Sequence, residues 1–153
     1  GTPYIVGSYA MDLMAWNDLD VYVSNESMST EKLYELTTFI LNTFHPVWYE
    51  AKVEVSDGKT VWFHGFETEI LGELCNVDIW FFNKETITKA LNFSKNIKSS
   101  HSCKERTAAF DQREITKISP SFLYAYKKFQ KFFSKFYNYS FTYNPNIFIN
   151  NTL

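Results

Sequence analysis

Residues 6–23 read VGSYAMDLMAWNDLDVYV, and the rest of the chain is arranged around them. Tyr4 to Val6 is a short apolar strand, Gly7-Ser8 is a tight exit from it, and Met11 to Trp16 is long enough for a few turns of helix before Asp18 opens a second strand. Side chains alternate along a strand, so Asp18, Asp20 and Tyr22 point one way while Leu19, Val21 and Val23 point the other. Two carboxylates side by side on a rigid strand repel each other, and a fold that places them there leaves them in water or gives them a cation. Magnesium suits hard carboxylate oxygens and commonly binds through one or two carboxylates together with substrate phosphates. The Gly-Ser turn supplies the complement, because a glycine lets the backbone approach a phosphate and the start of the following helix offers unpaired N–H groups.

The chain has 153 residues, the length of one domain, and its 45% hydrophobic content excludes a mainly disordered protein. No apolar run reaches the length of a membrane span and no basic-then-apolar leader opens the chain, so a cytoplasmic protein with no membrane partner is expected. Cys75 and Cys103 lack metal-ligand spacing and read as reduced, structural residues. His45, His64 and His101 are scattered and read as ordinary surface or half-buried histidines. The net charge of −2 hides a division: residues 1–82 carry 13 acidic side chains against 3 lysines, and residues 83–153 carry 4 acids against 12 lysines and arginines. An acidic part that gathers cations beside a basic part that meets phosphates suits a nucleotide-using protein, and two oppositely charged lobes that attract each other would show the same division.

Downstream, Ser29 is a helix N-cap, and Leu33, Leu36, Phe39, Ile40 and Phe44 recur at helical spacing up to Pro46. From Trp48 the period becomes two. Asp57-Gly58 predicts a hairpin between Tyr49–Val55 and Thr60–Ile70, and a turn near Gly72-Glu73 leads into Leu74–Phe82. On that last strand Val77, Ile79 and Phe81 share one face, and Asn76, Asp78, Trp80 and Phe82 share the other. An aspartate within so apolar a strand needs a cation, a cationic partner or an open cleft. Lys84 to Ser99 reads as a helix that brings Lys84 and Lys89 as candidate phosphate contacts, and Tyr22 and Trp80 are candidate stacking residues. Ser119-Pro120 opens a basic helix with a stripe of Phe122, Tyr126, Phe129, Phe133 and Phe136, followed by a tail from Asn138.

Gly7-Ser8, then Asp18-Leu19-Asp20, then a single aspartate on a later strand, Asp78 in NVDIWFF, together resemble the nucleotidyltransferase superfamily of DNA polymerase beta-like folds, over Tyr4 to Phe82. The resemblance implies an α+β fold: a mixed, largely antiparallel β-sheet with helices packed on it, followed by C-terminal helices. The corresponding organisation is a core over residues 1–100, a basic, aromatic helical extension over 101–137 and a tail over 138–153. It further implies that Asp18, Asp20 and Asp78 hold two divalent ions, Mg2+ or Mn2+, that Asp78 is also the candidate general base, and that Gly7 and Ser8 cradle a nucleoside triphosphate. Small members of the superfamily, the aminoglycoside and lincosamide nucleotidyltransferases among them, imply transfer of a nucleoside monophosphate to a hydroxylated small molecule. Two other readings fit the same residues: an inactive or regulatory, antitoxin-like binding module whose protein partner or second copy docks on the C-terminal aromatic helix, and a nucleic-acid-binding protein acting through its basic part.

Overall fold

The computed structural model of the chain describes residues 3–11, 17–56, 58–100, 128 and 131. The expectations for His101, Cys103, the helix from Ser119-Pro120 and the tail from Asn138 lie outside the described residues. In chain order the elements are β1 (Tyr4–Val6), α1 (Gly7–Ala10), β2 (Asp18–Ser24), α2 (Thr30–Phe44), β3 (Trp48–Ser56), β4 (Lys59–Ile70), β5 (Glu73–Phe82) and α3 (Lys84–Ser100), with a 3-10 turn at Asn25–Ser27. The fold is α+β. One five-stranded mixed sheet runs in the order β1-β2-β5-β4-β3. Among the described residues only β2 and β5 pair in parallel, and the other three pairings are antiparallel.

Parallel neighbours cannot be joined by a tight turn, so the chain between β2 and β5 has to travel, and α2 and the β3–β4 hairpin are that detour. α2 starts where Ser29 accepts a hydrogen bond from the Lys32 N–H (3.4 Å). It ends at His45, which turns into the left-handed region (φ 46°) just before Pro46. Its residues Leu33, Leu36, Ile40 and Phe44 are buried. Leu36, Ile40 and Phe44 meet Leu19, Val21 and Val23 of β2 and Val77, Ile79 and Phe81 of β5 in one core with Phe66 and Ile70. Leu36, Ile40, Ile79 and Phe81 are fully buried, each contributing about 1.5–3 kcal/mol of transfer free energy.

Two boundaries differ from the sequence expectation. A helical turn begins at Gly7 itself, closed by the Met11 N–H to Gly7 carbonyl bond (3.3 Å), and residues 12–16 lie outside the described residues. The second hairpin turn falls on Leu71-Gly72, one residue early, with φ of 54° and 83°, and β5 starts at Glu73. Two left-handed residues in a two-residue turn match the twist of the flanking strands, and that geometry outweighs the strain on a leucine.

His64 corrects a further expectation: it is fully buried on the α2 side of β4. The Thr37 hydroxyl donates to the Leu33 carbonyl (2.9 Å), and the Tyr49 hydroxyl donates to Thr37 (2.7 Å). Tyr49 oxygen can then only accept, so His64 Nδ1, 2.9 Å away, carries the proton and donates to it. Nε2 is left as a buried lone pair without a hydrogen-bond partner among the described residues. Charging the ring would bury an uncompensated N–H, and burial accordingly pushes the His64 pKa down to about 4. The folded value lies below the ordinary 6.5, so this contribution is present above pH 6.5 and is lost as pH falls from there toward 4. Chemical denaturation from pH 7 to pH 4 should show a loss of about 3 kcal/mol from this group that His64→Leu abolishes.

Candidate functional site

The sheet has one face under α2 and one face where the charged residues stand. Register places the rows on that second face. Asp18 lies beside Asn76, Asp20 beside Asp78, and Tyr22 beside Trp80. Across β4 and β3 the Asp78 row continues through Gly65 to Glu50, and the Trp80 row continues through Phe63 to Lys52. The strand alternation expected for Asp18, Asp20 and Tyr22 is what puts them here, since Leu19, Val21 and Val23 fill the core on the opposite side.

The first turn meets the first carboxylates directly. Val6 is opposite Asp20 in the β1–β2 pairing, and the next residue, Gly7, has φ 67°. A Cβ on Gly7 would lie 1.9 Å from Asp20 Oδ2, so only glycine lets this backbone pass the carboxylate. Asp18 is held from the other side by Asn76 Nδ2, which donates to its Oδ1 (2.8 Å). The Asn17 carbonyl accepts from the Asn76 N–H (2.8 Å), which fixes the start of β2 against β5. Asp78 leans over Gly65: a Cβ there would sit 3.1 Å from Asp78 Oδ1 and 2.6 Å from Phe63 Cζ.

Two of the three carboxylates, Asp20 and Asp78, are raised, by burial first and then by their acidic neighbours. Burial, then Asp18, then Asp78 push the Asp20 pKa from its ordinary 3.8 to about 6. Burial also raises Asp78, helped by Asp18 and Glu50 and opposed by Lys52. Their oxygens are hard donors suited to Mg2+ or Mn2+, and a divalent cation would relieve the repulsion within the row. Among the described residues no three His, Cys, Asp or Glu side chains are grouped so as to hold one metal ion, and Asp18 stands one row before the Asp20–Asp78 pair.

Tyr22 and Trp80 belong to an aromatic group on this face. Trp80 stacks on Phe82 (centroids 5.4 Å, planes 5° apart), Tyr22 meets Phe82 edge-on (4.9 Å), and Phe63 lies 4.3 Å from Trp80. Lys52 Nζ covers it, 5.2 Å from the Phe63 centroid and 6.0 Å from that of Trp80. Lys84 and Lys89, the phosphate candidates, are engaged in surface ion pairs with Glu26 (3.0 Å) and Glu85 (2.8 Å). Lys84 follows the far end of β5, about 13 Å along the strand from the Asp78 row. The residues that sequence reasoning missed are Glu50, Lys52, Gly65 and Asn76. Counting back from the Asp57-Gly58 turn places Glu50 and Lys52 on the Asp78 face, and Asn76 shares the parity of Asp78.

Comparison with protein-family models, with curated proteins and with solved structures returned no match. The aspartate row therefore has to be read on its own chemistry.

The folded Asp20 pKa exceeds its unfolded value, so its contribution to stability is fully present below pH 3.8 and is lost as pH rises through 6, opposite in sign to His64. In chelator at pH 7, Asp20→Asn should therefore stabilise the fold, by about 1 kcal/mol once solvent screening is allowed for, and the gain should vanish at pH 4 in urea titrations. Gly7→Ala should lower stability by about 1–3 kcal/mol, read from the same titrations, because the turn must adopt a conformation disfavoured for alanine and displace Asp20.

Proposed function

We propose that the chain is a metal-dependent nucleotidyltransferase that moves a nucleoside monophosphate from a nucleoside triphosphate to the hydroxyl of a small acceptor, with pyrophosphate as the leaving group. The carrying observation is the meeting of Gly7 backbone and Asp20 carboxylate, with Asp18 two residues earlier on the same strand and Asp78 beside Asp20 on β5, on one face of neighbouring strands. It supports a nucleotidyltransferase-like reading of the α+β fold, with the turn, the paired aspartates and the later aspartate in the order that family uses.

Asp18, Asp20 and Asp78 are the residues that would hold two divalent ions. Such ions would supply charge neutralisation for the triphosphate and polarisation of the transferred phosphorus. The chain's own groups do the rest. Asn76 fixes the direction of the Asp18 carboxylate by donating to one of its oxygens. Gly7 lets the backbone come close enough for its N–H and that of Ser8 to orient the phosphates. Asp78 is the candidate to accept the proton of the acceptor hydroxyl. Tyr22 and Trp80, with Phe63 and Phe82 beside them, form an apolar floor on which a base or acceptor ring can lie. The reaction is otherwise one of positioning, since an in-line displacement at phosphorus asks little covalent chemistry of the protein.

Thermal unfolding in the presence of Mg2+ or Mn2+ with each of the four ribonucleoside triphosphates tests the reading. A binding triphosphate at 100 times its dissociation constant should stabilise the fold by about 2.7 kcal/mol, only with the cation present. The shift should disappear in Asp18→Asn combined with Asp20→Asn, and pyrophosphate release should require an acceptor. Absence of any shift with every triphosphate and both cations would refute the enzyme reading, and salt-sensitive oligonucleotide binding that survives the double change would favour a nucleic-acid-binding protein instead.

A further inference from the structure

The sheet ends on one side at β3, a nine-residue strand that pairs, among the described residues, only with β4. Long edge strands are templates for another strand, and proteins commonly protect them with a lysine in the middle. Lys52 occupies that position, yet it is bracketed by Glu50 and Glu54, 4.0 and 2.9 Å from its Nζ. The edge therefore carries the alternation Glu-Lys-Glu on the carboxylate face. On the opposite face it carries apolar residues that the fold leaves open, Val53 at 47% and Val55 at 75% exposure, with Val47 at 73% just before the strand. The Tyr49 to Thr37 hydrogen bond lays α2 beside this strand, and Tyr34 and Leu41, one turn either side of Thr37, are exposed as well.

We propose that β3 is a homodimer edge, at which two copies of this chain pair their β3 strands antiparallel about a two-fold axis at Ala51. The register follows from charge and exposure. Pairing about Lys52 would oppose Lys52 to itself and Glu50 to Glu54, which like-charge repulsion disfavours. Pairing about Ala51 sets Glu50 against Lys52 of the second copy twice over, Tyr49 against Val53, and Val47 against Val55. Pairing about Val53 also matches charges but leaves Val47 uncovered. Both sheets then continue as one ten-stranded sheet, and the two sets of exposed apolar residues on the α2 side close over each other. This edge adjoins the aspartates through Glu50 and Lys52, and the proposal does not depend on the catalytic reading.

Sedimentation of the full chain over a concentration series tests the proposal. A reversible dimer is expected. Lys52→Glu should weaken its association at least about tenfold, a change of 1.4 kcal/mol. Adding Glu50→Lys to Lys52→Glu should restore it, because the cross-strand pairs are exchanged; circular dichroism of each variant checks that it is folded. In a Cys103→Ser background, Ala51→Cys should form an intermolecular disulfide on mild oxidation, since opposed residues lie within disulfide reach, whereas Val53→Cys should not. A monomer at every concentration, a dimer indifferent to Lys52→Glu, or cross-linking through Val53→Cys in place of Ala51→Cys would each overturn the proposal.

Discussion

Parallel pairing of β2 with β5 is the constraint on which the rest of this molecule depends. It puts Leu19, Val21 and Val23 in step with Val77, Ile79 and Phe81, so that a single register fills the core. The same register sets Asp20 beside Asp78 on the other side of the sheet. A slip of one residue would send every carboxylate into the core and every valine into water, so hydrophobic burial itself enforces the gathering of like charges. The fold tolerates their repulsion because the apolar gain from the opposite face is larger: several fully buried aliphatic and aromatic side chains at about 1.5–3 kcal/mol each against a carboxylate, Asp20, whose pKa is pushed up to about 6.

Much of this was legible in the sequence because it is written in short-range patterns. Period-two alternation gave the faces of β2 and β5, the Ser29 cap and the Leu33, Leu36, Ile40, Phe44 spacing gave α2, and Asp57-Gly58 gave the hairpin. What escaped was set by partners distant in the chain. Nothing local to His64 says that Tyr49 and Thr37 will meet it, and the Nε2 lone pair, without a partner among the described residues, follows from a proton chain that ends at Leu33. Nothing local to Leu71 says that it takes the left-handed place in its turn, because that choice belongs to the pairing of β4 with β5. The aspartates were visible by residue type, and the hairpin turn gives the face of Glu50 and Lys52; what no local pattern gives is the strand order that brings β3 within two positions of Asp78.

The charged face also differs in kind from the core face. Under α2 each polar group has a fixed role: Thr37, Tyr49 and His64 form one directed chain. On the open face Lys52 is shared among Glu50, Glu54 and two aromatic rings, and Asp78 senses both Glu50 and Lys52. Shared charges of this sort rearrange at small cost when a ligand or a second strand arrives, whereas the directed chain does not.

Gly65 gives that face its shape by what it lacks. The residue donates no functional group, yet a methyl group at its position would press on the Phe63 ring and on the Asp78 carboxylate at once. The floor of the aromatic group and the tilt of an aspartate two strands from the edge are thus set by one empty volume in the backbone. Information about the site is carried there as absence of matter, at a position whose lack of a side chain makes room for an aromatic ring and a carboxylate together.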